Sequence, residues 1–260
     1  MSAVLRTTGL TAGHKGVPAV RDLDLEVAAG EVVALLGPAG AGKSTTLGTI
    51  AGELPPIGGW VELRGRRVRP GTTHLLARRG LALVPEDRGL FRQLTVAQNL
   101  RLRQRRGSAW EVADVHRHLP LLADLQDRKA GLLSGGEQQV LAIAGALLAG
   151  PDVLLIDEMS LGLAPVMVQR LLPTIRSLAT DHGMAVLLVE QHVRAALSIA
   201  DRAYVLAHGT LVYEGSAAEL AADPDHLEAA YLGTAAPVLG GPAVTSPAAA
   251  DRHRGGSPRR

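Results

Sequence analysis

Cysteine is absent from the 260 residues, so disulfides and thiolate metal sites are excluded. That absence fits a cytoplasmic protein without requiring one. Aromatic residues are scarce: one phenylalanine, two tryptophans and three tyrosines. Any role that needs an exposed ring therefore falls on a handful of positions. Lysine is scarcer still, with Lys15, Lys43 and Lys129 alone against many arginines. No apolar run reaches the roughly 18 residues that span a bilayer. The longest candidate, Val140–Gly150, stops at Pro151. The N-terminus has Arg6 but neither a continuous apolar run nor a small-residue cleavage site, so no secretion signal is expected. The formal net charge of +2 comes from the last ten residues, DRHRGGSPRR, which carry +3. The remaining body is close to neutral, which argues for a basic tail on a neutral domain and against a nucleic-acid partner.

What is present is an alternation of strand and helix patterns. Leu23, Leu25 and Val27 suit a half-exposed strand, and EVVALLG suits a buried strand running into a glycine loop. KSTTLGTIAGEL reads as a helix opened by that loop. GWVELRGRRV has strand character around Val61 and Leu63, with a turn at Arg64-Gly65, and LALV stops at Pro85. From about Leu94 to Leu148 the pattern is helical. DVLLIDE and MAVLLVEQH are buried strands on either side of the helix VQRLLPTIRSLATDHG, and RAYVLAHGTLVYEG reads as a hairpin turning at His208-Gly209. The pattern predicts an α/β fold with a mostly parallel sheet, an N-terminal antiparallel β subdomain and an inserted helical subdomain over about 88–150. The Ala/Pro/Gly-rich segment 236–260 is expected to be disordered, which leaves 1–235 as the folded domain.

Gly37-Pro38-Ala39-Gly40-Ala41-Gly42-Lys43-Ser44 fits GxxxxGK[ST] in full. Glycines let the backbone curl so that successive N–H groups face phosphates, and the following helix adds its positive end. Lys43 is placed to reach the β- and γ-phosphates, Ser44 to ligate Mg²⁺ and Thr45 to bond the α-phosphate. The strand Val153–Asp157 then delivers Asp157 to the sheet's carboxyl edge as a second Mg²⁺ partner. Glu158 beside it can polarise an attacking water as general base. The pair points to ATP and Mg²⁺ as ligands.

A second anion grip follows from Ser134, Gly135 and Gly136, which open another helix in LLSGGEQQ. Phosphate grips thus occur twice and catalytic acids once. Two chains arranged head to tail resolve the mismatch, each nucleotide held by one chain's first grip and covered by the other's second. Association would then report nucleotide state.

In the order phosphate loop, LSGGEQQ, VLLIDE and a late histidine, the chain resembles the ATP-binding subunit of ABC transporters over roughly residues 4–233. The resemblance implies a P-loop NTPase (RecA-like) core, ATP hydrolysis and a composite-site dimer. It assigns His192 to a switch position at the γ-phosphate. Glu86 stands where most members carry a glutamine that touches Mg²⁺ or water and relays to the membrane subunit; a solvated loop acid is the other reading. His14 aligns with the aromatic residue that stacks on adenine, which an imidazole does less well than tyrosine. Met159 replaces the usual proline and Leu163 a usual aspartate.

SLGLAP, VPE, VEQH and the closing YLG resemble the branched-chain amino acid uptake subfamily, patterns shared with importers for urea and short amides. The resemblance implies separate transmembrane permease subunits, a second ATP-binding subunit that is identical or, more in keeping with the subfamily, a paralogue, and an extracytoplasmic solute-binding protein acting indirectly. The chain would lie peripherally on the cytoplasmic face of the membrane. RGLFRQL, residues 88–94, is a candidate dock for a permease helix if Phe91 is exposed; packing inside the helical subdomain is the alternative. A soluble ABC ATPase, a small-molecule kinase and an exporter are the rival classes.

Overall fold

The computed structural model describes residues 3–232 and, for the backbone, 238–239. Two long strands open the chain, β1 (Ala3–His14) and β2 (Val17–Ala28), followed by β3 (Val32–Leu36) and helix α1 (Lys43–Ile50). Next come β4 (Gly58–Leu63), β5 (Arg66–Arg67), α2 (Thr73–Arg78) and β6 (Leu81–Val84). Helices α3 (Val96–Arg103), α4 (Val112–His118) and α5 (Gly135–Leu147), with 3₁₀ turns at Pro120–Leu125 and Ala130–Leu132, precede β7 (Val153–Asp157). The chain continues through α6 (Pro165–His182), β8 (Ala185–Glu190), α7 (Val193–Leu197), β9 (Arg202–Ala207), β10 (Thr210–Ser216), α8 (Ala217–Ala222), α9 (Pro224–Leu232) and β11 (Val238–Leu239).

The strands form two sheets. One is antiparallel, in the order β2-β1-β4-β5. The other runs β11-β10-β9-β3-β8-β7-β6, parallel except where β10 returns beside β9. The period-two side-chain alternation of a strand divides the core between its faces. From β3, Val33 and Leu35 join the cluster under the antiparallel sheet, while Val32, Ala34 and Leu36 join the helical side. β7 and β8 divide the same way: Leu155 and Leu187 face the antiparallel sheet, Ile156 and Leu188 the helices. Burial on both faces is why these segments are continuous apolar runs without polar alternation. It also means that the first polar residues, at the strands' carboxyl ends, emerge together at one edge.

Local signals set the boundaries. His208 and Gly209 both have positive φ, as a two-residue hairpin turn requires, and Arg64-Gly65 repeats the device. Thr95 and Gln98 close a capping box at the start of α3. Pro173 lies inside α6 with its ring exposed, and the helix continues past it. Helix α1 stops at Ile50, short of the expected Leu54, because Gly52 turns the chain at φ 74°. Helices α2, α8 and α9 were not expected from the sequence: each is short, and none carries a sustained apolar repeat. The expected disordered tail lies outside the described residues except at Val238–Leu239, where the backbone pairs with Tyr213 and Glu214 of β10. None of the described helices is long and apolar enough to cross a membrane.

Candidate nucleotide-binding site

The loop between β3 and α1 is shaped by what surrounds it. At Gly37 (φ 150°) a Cβ would fall 2.3 Å from the Leu206 carbonyl oxygen; at Gly42 (φ 98°) it would fall 2.2 Å from Val20 Cγ2. Gly40 (φ 79°) has open space instead, so only its backbone angle selects glycine there. No hydrogen bond among the described residues engages the N–H groups of Gly40, Gly42, Lys43 or Ser44. Unpartnered donors at a helix N-terminus are a fit for a polyphosphate. Lys43 is buried and lies across its own loop, donating to the carbonyls of Gly37 (2.8 Å) and Pro38 (3.2 Å).

Lys43 Nζ also stands 3.5 Å from the Glu158 carboxylate. Glu158 is buried and holds φ 46°, a left-handed conformation that costs a non-glycine residue roughly 1 kcal/mol or more. Beside it, Asp157 accepts a hydrogen bond from Ser44 Oγ at 3.3 Å. Burial pushes the Asp157 carboxyl up to about 6, with Glu158 and Glu86 adding to the rise while Ser44 and Lys43 oppose it. Hard oxygen donors at a site short of positive charge fit Mg²⁺, with Ser44 and Asp157 as the residues that would hold it. Among the described residues no group of three or more His, Asp or Glu could hold a metal on its own. A cation here would therefore draw its other ligands from phosphate and water.

The remaining expected residues are spread around this centre. His14 ends β1 exposed, with Nε2 3.5 Å from Thr45 Oγ1, at the rim of the phosphate loop. Glu86 is exposed after β6 and reaches Asp157 through its charge alone. Ser134 caps α5 reciprocally with Glu137, and Gly135 and Gly136 form the first turn behind it. The Ser134 hydroxyl is exposed and makes no bond to the phosphate loop of its own chain.

His192 is where the structure departs from expectation. It starts α7 with its ring exposed, hydrogen-bonded to no described residue, in an apolar groove with Leu163, Leu172 and Leu227. The neighbour Gln191 instead donates from Nε2 to Glu158 Oε1 at 3.0 Å. The turn after β8, where Val193 N–H bonds the Gln191 carbonyl, aims position 191 at the acid and position 192 away from it. Two further sets of contacts escaped the sequence reading. Glu190, fully buried, accepts from Ser160 N (2.8 Å) and Ser160 Oγ (2.5 Å), pinning the loop that follows Glu158. Its acid is raised chiefly by burial. Its signal was available: a carboxylate ending a buried strand, as Asp157 does. Arg88 (φ 66°) donates to Gln138 and Gln139 of α5, each at 3.1 Å, and to the Leu161 carbonyl at 3.5 Å. It ties the loop carrying Glu86 to the helix carrying Ser134, a contact between segments too distant in sequence to read.

The raised Asp157 carries a stability cost that pH controls. Its folded form favours the proton, so the nucleotide-free chain is penalised above the ordinary carboxylate range and fully so above about 6. Asp157→Asn should stabilise the nucleotide-free protein at pH 7.5 by about 1–3 kcal/mol, at about 1.4 kcal/mol per pH unit. Denaturant melts from pH 7.5 to 4 should show that advantage vanish as the pH falls.

The chain is similar to known proteins over most of its length. Residues 20–160 match the family described as "ABC transporter". The chain is 39% identical over 221 residues to the high-affinity branched-chain amino acid transport ATP-binding protein BraG of Pseudomonas aeruginosa, covering 84% of this chain and 94% of that one. It is 34% identical over 241 residues to the lipopolysaccharide export system ATP-binding protein LptB of Escherichia coli K12, covering 89% and 98%. Among solved structures, the ADP conformation of MJ1267, an ATP-binding cassette of an ABC transporter, superposes with TM-score 0.76 at 25% identity, over 90% of this chain and all of the other. Loop, acid pair and second helix start thus occur in a fold and sequence shared with these proteins, and the chain belongs to the ABC transporter ATP-binding family of ATPases.

Proposed function

We propose that this chain is the ATP-hydrolysing subunit of an importer for branched-chain amino acids, working with separate permease subunits on the cytoplasmic face of a membrane. The observation that carries the hydrolytic reading is Glu158 held at the strand end 3.5 Å from Lys43 and beside Asp157. With ATP bound, the phosphate loop amides and Lys43 would hold the β- and γ-phosphates, and His14 would cover the adenine. Mg²⁺, held by Ser44 and Asp157 with Glu86 near, would neutralise charge on the phosphates. Glu158 would take a proton from the attacking water. Gln191, already on Glu158, is the better candidate than His192 to sense the γ-phosphate.

Ser134, Gly135 and Gly136 would serve a nucleotide on a second ATP-binding subunit, identical or paralogous, since the Ser134 hydroxyl faces out of its own chain. Phe91 is 54% exposed, on a loop fixed by Asn99, whose amide bonds the backbone of Phe91, Leu94 and Thr95. An exposed ring on a rigid loop suits a permease helix, with a solute-binding protein on the far side. The domain reading follows: an ATPase domain over 1–235 with a helical subdomain at about 88–150. Import of amino acids rests on the similarity to BraG and to the probable branched-chain amino acid transport protein LivF of Archaeoglobus fulgidus, 37% identical. Similarity to LptB supports export as the second reading.

Glu158→Gln should lower turnover about a hundredfold or more while keeping ATP affinity. Size-exclusion chromatography with ATP, alone and with the companion ATP-binding subunit, should show a trapped dimer; a monomer in both cases would contradict the composite site. Gln191→Ala should lower kcat at least about tenfold, and His192→Ala less than about threefold. The reverse order would restore the switch to His192.

A further inference from the structure

The closing Tyr231 has no place in the mechanism above, yet its hydroxyl lies inside it. Tyr231 Oη accepts from the Gly37 N–H at 3.2 Å and donates to the Gln191 carbonyl at 3.3 Å. Gly37 begins the phosphate loop, and its own carbonyl takes the Lys43 ammonium at 2.8 Å. Gln191 carries the side chain that touches Glu158. One phenol therefore joins the loop that would hold the phosphates to the turn that orients the general base. The ring is partly buried against the helical-side core, and α9 packs on β9 with Leu227 in the groove beside Gln191. Burial raises the hydroxyl's pKa, and Glu158 and Glu190 raise it further against the lowering bond from Gly37, so the phenol stays protonated and able to donate.

We infer that Tyr231 is a positioning residue: seated by α9, it fixes the Gln191 turn relative to the phosphate loop and thereby sets Glu158 for hydrolysis. Gly37 is the more firmly held partner: its carbonyl accepts from Lys43 at 2.8 Å, and it packs so closely on β9 that a Cβ would fall 2.3 Å from the Leu206 carbonyl oxygen. The Gln191 turn is the freer partner. Among the described residues its carbonyl has only Val193 N–H besides the phenol, and its side chain is exposed. Losing the hydroxyl therefore loosens the turn more than the loop, which separates turnover from nucleotide affinity. The inference rests on Glu158 acting as the base.

Tyr231→Phe keeps the ring and removes the two hydrogen bonds. We expect ATP affinity and KM to stay within about twofold while kcat falls about three- to tenfold. The thermal midpoint of each variant identifies loss through unfolding. Combination with Gln191→Ala supplies the readout that a structural role would not move. If Tyr231 acts through Gln191, the double variant turns over no more slowly than Gln191→Ala alone. Unchanged kcat in Tyr231→Phe, or an equal further loss in the Gln191→Ala background, would overturn the inference. Glu158→Gln in the same assay keeps the two readings apart: normal turnover there refutes the general base, whatever Tyr231→Phe does.

Discussion

Lys43 faces two adjacent buried carboxylates, Asp157 and Glu158, at the carboxyl edge of the parallel sheet, with a third, Glu190, close behind. One cation does not balance them. Asp157 answers by holding its proton more tightly, Glu190 by taking two bonds from Ser160, and Glu158 by sharing Oε1 between Lys43 and Gln191. The nucleotide-free chain thus carries an electrostatic debt that Mg²⁺ with a polyphosphate would relieve. Phosphate would draw Lys43 forward, and the metal would share the charge of Asp157.

The fold concentrates these groups. Strands buried on both faces end together, so the glycine loop after Leu36 and the acids after Ile156 and Val189 fall at one edge. The phosphate loop, the acid pair and the Gln191 turn come from adjacent strands β3, β7 and β8. Helical segments inserted between β6 and β7 carry Ser134 outward from that edge, and Arg88 links them back to it.

Much of this was legible in the residues. Continuous apolar runs bounded by glycine or acid marked β3, β7 and β8, and GPAGAGKS located the loop. The hairpin at His208-Gly209 followed from its turn residues. What the sequence could not resolve depended on direction. Gln191 and His192 are neighbours, and only the backbone path after β8 decides which one meets Glu158. Tyr231 lies 194 positions from its Gly37 partner and Arg88 51 from Gln139, so neither contact leaves a local trace. The short helices α8 and α9 were invisible because tertiary packing, with no strong apolar repeat, holds them.

The uncompensated charge at the sheet edge is the claim on which the rest stands, and it can be observed at one carbon. Carboxyl-carbon NMR of Asp157, titrated in the nucleotide-free protein, should give a midpoint of about 6, and a midpoint well below that once Mg²⁺ and a non-hydrolysable ATP analogue are bound. A midpoint near the ordinary value of about 4 in the free protein, unmoved by Mg²⁺ and the analogue, would contradict it.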